Sequence, residues 1–162
     1  MNKLVTKCGG WCIAIFCSVF LFACSVPSQK DMLHSLEKNE QSMNILVQAF
    51  RQNGALSTLW LDDVAPRSVN VSPENIKVYR DAMRDIGAFR VGGSQNELYI
   101  FTRSSGNPDS SGGLEGYLYM NTPTYIDSSL LVNTLDQARA RDRKMSLVRL
   151  KDNWYIFVQY EK

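Results

Sequence analysis

The chain has 162 residues, with 18 Lys and Arg against 16 Asp and Glu, and one histidine. Two of the cations, Lys3 and Lys7, and all four cysteines fall in the first 24 residues, while every Asp and Glu lies downstream, so beyond that stretch 16 cations balance 16 acids. Such neutrality argues against nucleic acid as a partner, because phosphate recognition needs a surplus of cations, and the one thiol beyond residue 23 allows neither a disulfide nor a thiolate zinc site.

The N-terminal stretch decides where the chain lives. Lys3 and Lys7 precede an apolar run from Trp11 to Ala23, followed by Cys24, Ser25, Val26 and Pro27. A positive segment, a hydrophobic segment and then small residues make the build of a secretory leader. Thirteen residues reach about 20 Å as a helix, short of the roughly 30 Å of bilayer hydrocarbon. Leu21, Phe22, Ala23 and Cys24 resemble the lipobox of bacterial lipoproteins, with a bulkier residue than usual at Phe22. The resemblance implies cleavage before Cys24, acyl chains on Cys24 that fix the mature protein to a membrane, and no cysteine left as a nucleophile. Because Ser25 is not the aspartate that favours inner-membrane retention in that family, it also implies the outer membrane, on the leaflet facing the periplasm. Three segments are expected: a signal peptide over 1–23, a lipidated tether over 24–30, and a single domain over 31–162. The 139 residues after the leader suffice for one core that buries about two-thirds of the unfolded surface.

Leu36, Met43, Val47 and Phe50 recur at helical spacing between Asp31 and Asn53, with Asp31 as a candidate N-cap and Asn53-Gly54 as the stop. From Ala55 to Val71 the pattern mixes Leu59, Trp60 and Leu61 with Asp62, Asp63, Pro66 and Arg67, and assigns no element. A second helix starts at Ser72, with Pro73 at its first position, carries Ile76, Tyr79, Met83 and Ile86 on one face and ends at Gly87. Beyond it the period falls from 3.6 to 2. Ala88 to Val91, Glu97 to Arg103, Gly116 to Met120, Met145 to Lys151 and Trp154 to Glu161 read as strands, the last two joined by the tight turn Asp152-Asn153. Leu130 to Ala138 fits both a short strand and a helical turn. The expected class is α+β: two N-terminal helices packed on a four- or five-stranded antiparallel sheet.

Catalytic constellations are sparse. A serine triad would have to use His34, and no Gly-x-Ser-x-Gly elbow accompanies it. Asp62 with Asp63, and Asp81 with Asp85, are the carboxylate pairs, but Arg80 and Arg84 beside the latter favour surface ion pairs. The loop Gly106 to Gly113 has oxygen ligands without the spacing of an EF-hand. No cofactor other than the covalent lipid is expected, and no metal.

Two features suggest contact with a partner. Arg139, Arg141, Arg143 and Lys144 form a run of positive charge suited to lipid headgroups or an acidic surface. Tyr117 and Tyr119, with Tyr125, Trp154, Tyr155 and Tyr160, concentrate amphipathic aromatics in the sheet, and half of an alternating set should face outward. Gly116-Tyr117-Leu118-Tyr119, Leu135-Asp136 and Trp154-Tyr155 also resemble small proteobacterial proteins, some of which are immunity partners of secreted antibacterial toxins. The expected function is protein binding by a lipid-anchored, periplasm-facing, non-enzymatic protein, an immunity protein being one form. The alternatives are an accessory of envelope or secretion-system assembly, and a carboxylate-dependent hydrolase of cell wall or lipid.

Overall fold

A computed structural model describes residues 26–52, 58–62, 71–105, 112–123, 126–141 and 144–160. Cys24 and the leader, together with Asp63, Tyr125 and Arg143, lie outside them. Among the described residues the architecture is α+β, with four α-helices and a seven-stranded sheet.

The first amphipathic stretch forms two helices, α1 (Gln29–Lys38) and α2 (Glu40–Gln52), where the spacing predicted one. The break falls at Asn39, whose side-chain amide donates to the Ser35 carbonyl at 3.0 Å and so competes with the backbone for that acceptor. The start also differs. Ser28, not Asp31, is the N-cap: the Asp31 amide donates to Ser28 Oγ at 3.2 Å, and the Ser28 amide donates to the Asp31 carboxylate at 2.9 Å. This reciprocal box places Asp31 inside the first turn and moves the expected tether residues Gln29 and Lys30 into the helix.

Helix α3 (Pro73–Ile86) forms where its signals predict. Ser72 Oγ accepts from the Asn75 amide at 3.3 Å, and Gly87 takes a left-handed φ of 73° that an L side chain resists. Ser42 Oγ of α2 donates to the Asp85 carboxylate of α3 at 2.8 Å, tying the two helices together.

The strands are β1 (Thr58–Trp60), β2 (Arg90–Gly93), β3 (Glu97–Ser105), β4 (Gly113–Met120), β5 (Leu131–Val132), β6 (Met145–Lys151) and β7 (Trp154–Tyr160). They lie in the order β1-β2-β3-β4-β7-β6-β5. The expected five strands are all present, and two short edge strands extend the sheet beyond them. All pairings are antiparallel except β5 with β6, which makes the sheet mixed. That exception resolves the Leu130 to Ala138 ambiguity: the segment holds both β5 and a short helix, α4 (Leu135–Ala140), capped by Thr134, and the helix returns the chain for a parallel pairing. At the centre Gly116 faces Phe101 across the β3–β4 pairing. A Cβ at this glycine would lie 1.9 Å from the Ile100 carbonyl oxygen, so the strands reach this separation only with glycine there.

Alternation along the strands sorts the core into two layers. Val91, Leu98, Ile100, Tyr117, Val148, Ile156 and Val158 join the helices Met32 to Phe50 and Tyr79 to Ile86, with Leu135 and Ala138 of α4. On the reverse face Phe101, Leu118, Leu147, Tyr155 and Phe157 form a second buried cluster, against which Ile126 and Leu130 pack. Phe157 meets Tyr99 and Phe101 edge-on, with ring centroids 5.4 and 5.0 Å away. Tyr155, one of the six aromatics among which the sequence leaves the outward subset open, is therefore core. Among the described residues no helix is long and apolar enough to cross a membrane.

Candidate functional site

The register gives the sheet two distinct ends. At one end Ser105, Gly113, Tyr160 and Met145 come together, and at the other Glu97, Met120, Trp154 and Lys151. Each end carries an arginine that reaches from a helix to the sheet, and the predicted site residues divide between them.

At the first end Arg139, on α4, meets Glu115, on β4. The guanidinium engages both carboxylate oxygens, Nε to Oε2 at 2.9 Å and Nη2 to Oε1 at 2.6 Å, and Nη2 also donates to the Pro27 carbonyl at 2.8 Å. Glu115 is only 6% exposed. A carboxylate so buried would be costly without a planar, bidentate cation, which is the partner guanidinium supplies. Arg139 is thus removed from the free positive run expected of it. Gln29 Oε1 accepts from the Leu135 amide at 3.3 Å, and the Tyr160 hydroxyl donates to the Arg139 carbonyl at 2.7 Å, so the start of α1, helix α4 and the end of β7 are held together. Arg141 donates to the Ser129 carbonyl at 3.3 Å, and Lys144 is exposed.

Tyr117 is buried, at 3% exposure, rather than displayed. Its hydroxyl donates to the Met32 carbonyl at 3.0 Å, which gives the buried phenol a partner on α1. Burial pushes its phenol up from the ordinary range. Tyr99, on the reverse face, is pushed up to about 12 by burial and by Glu97 beside it, to whose carboxylate it donates at 3.4 Å. Asp31 is held low chiefly by its hydrogen bonds from Ser28.

The opposite end keeps its aromatics at the surface. Arg51, at the end of α2, donates to the Tyr119 hydroxyl at 2.6 Å and to Asn121 Oδ1 at 2.8 Å. Its guanidinium lies 5.4 Å from the Tyr119 ring centre, and Tyr119 meets Trp154 edge-on at 5.1 Å. Arg51 is exposed, and both rings are half-buried. Beside them a small cleft is lined by Glu37, Glu40, Asn44, Lys151, Asp152 and Trp154. The sequence singles out Tyr119 as a candidate contact residue but does not single out Arg51. The signal was present in α2, where an arginine closes the last turn, yet nothing in the spacing says which strand end it reaches.

Of the carboxylates considered for hydrolysis, Asp81 and Asp85 are engaged by neighbouring side chains. Asp81 pairs with Lys77 and Arg84 on the exposed face of α3, Asp85 is engaged by Ser42, and Asp62 lies in a turn after β1. His34 is exposed on α1. Among the described residues no group of three His, Cys, Asp or Glu is placed to hold a metal ion. No family model, no curated protein and no solved structure matches the chain.

Proposed function

We propose that this is a bacterial lipoprotein, anchored through Cys24 in the outer membrane with its domain facing the periplasm, and that it acts by binding another protein. The observation that carries the anchor is the run from Trp11 to Ala23 closing on Leu21-Phe22-Ala23-Cys24. The binding surface is the Arg51, Tyr119 and Trp154 end of the sheet, farthest from the anchored start of the domain. Arg, Tyr and Trp dominate binding energy in protein interfaces because each contributes a large, stiff contact area with a polar tip. Neutralisation of a toxin reaching the periplasm is the specific form of this reading.

Affinity capture from solubilised envelopes tests it. A partner should be recovered by the wild-type protein and lost by a Trp154→Ala and Arg51→Ala double variant that still folds; equal recovery by both would reject this surface. Deletion of the chain separates immunity from assembly: sensitivity to neighbouring cells indicates the former, and altered envelope integrity in isolated culture the latter.

A further inference from the structure

We propose that the Arg139 end of the domain docks on the bilayer, with Lys30, Arg141 and Lys144 against anionic phospholipid headgroups. The inference rests on Cys24 being the lipid anchor. Pro27 is already fixed to the domain through its carbonyl on Arg139, and the chain stays fixed through the Ser28 cap and the contact of Gln29 with Leu135. Two residues, Ser25 and Val26, separate Cys24 from Pro27, so the three chain steps reach at most about 11 Å. The headgroup layer alone takes up roughly 5 to 8 Å of that reach. The remainder is shorter than one Debye length, about 8 Å at physiological salt, so charges at this end feel the headgroups nearly unscreened.

The charge at this end suits an anionic surface. Lys30 and Lys144 are exposed, and Arg141 is half-exposed at the end of α4. Lys144 adjoins Arg139 through Tyr160, whose amide donates to the Lys144 carbonyl and whose hydroxyl donates to the Arg139 carbonyl. Arg103 adds a fourth cation in the recess that it lines with Pro27 and Asp31. Asp31 in the first turn of α1, Asp127 before the turn at 128–130 and Asp136 in the first turn of α4 are exposed carboxylates on the same elements. The Asp31 carboxylate accepts from the Ser28 amide and hydroxyl, and the Asp127 carboxylate accepts from the Ser129 amide, so local donors offset their charge. Glu115 is neutralised by Arg139. Docking this end leaves the Arg51, Tyr119 and Trp154 end pointing into the periplasm.

The test uses the full chain, processed in a bacterial host and placed in nanodiscs of phosphatidylcholine with or without phosphatidylglycerol, read by amide hydrogen exchange. Phosphatidylglycerol should slow exchange over 135–141 and 144–146, leave the far turns at 94–96 and 152–153 unchanged, and lose its effect at high salt. Each of Lys30→Gln, Arg141→Gln and Lys144→Gln should weaken the lipid-dependent protection by about fivefold, while unchanged exchange in β3 and β4 shows that the variant is folded. An acylated Cys24 with lipid-independent exchange, or protection at the far turns, would overturn the docking and leave the anchor standing. An unmodified Cys24 by intact mass would overturn both.

Discussion

Arg139 and Arg51 perform the same manoeuvre at opposite ends of one sheet, and the difference between them is burial. Arg139 reaches a carboxylate inside the fold and a backbone carbonyl at the start of the domain. Arg51 reaches a hydroxyl and an amide at the rim, with water on its other side. In the first case both charges have left water and each depends on the other. In the second the arginine makes good hydrogen bonds but gives up little hydration, so it is free to change partners. One end is therefore the more tightly tied and the other the freer to exchange partners, which is the division that the proposed anchoring and binding require.

Substitutions can break this contrast in graded steps. Arg139→Met strands the Glu115 carboxylate and should cost about 3 kcal/mol, lowering the melting temperature by roughly 10 °C in circular dichroism. Adding Glu115→Leu should restore most of that loss, since the cost lies in the unpaired charge rather than in the missing bond. Tyr117→Phe leaves the Met32 carbonyl without its side-chain donor and should cost about 1 kcal/mol. Arg51→Ala should cost under about 1 kcal/mol of stability while weakening partner capture. If Arg51→Ala destabilised the fold as much as Arg139→Met, the division of labour between the two ends would be lost.

The smallest effect is a pH dependence from Tyr99, a partly exposed phenol. Its folded-state pKa of about 12 lies above the ordinary 10, so the folded protein keeps a proton that the unfolded chain releases first. The resulting stabilisation of the unfolded, ionised form begins above pH 10 and grows toward 12. Ultraviolet titration should show late-ionising tyrosine absorbance in the wild type that falls by one tyrosine in Tyr99→Phe, with the loss of stability over that window reduced in the variant.

How much of this was legible in the sequence depended on the range of the signal. Helix α3 was readable because Ser72, Pro73 and Gly87 act within a few residues of one another. The α1–α2 break was not, because Asn39 continues a polar face and reveals its competition with the backbone only in three dimensions. The strands β1 and β5 have three and two residues, too few for alternation to register. Tyr117 and Tyr119 share a face by their spacing, yet only Tyr117 has α1 above it, and alternation does not say how far a helix extends over a strand. Glu115 and Arg139 are 24 residues apart. A lone carboxylate within an apolar strand was the available hint that a buried cation must come from elsewhere.

The lipid on Cys24 is the claim from which orientation, location and the roles of both ends follow. Cells grown with labelled palmitate should yield a labelled protein lacking residues 1–23, while the Cys24→Ser variant should be unlabelled and retain them. A wild-type protein carrying no label, or one labelled equally after Cys24→Ser, would contradict the account.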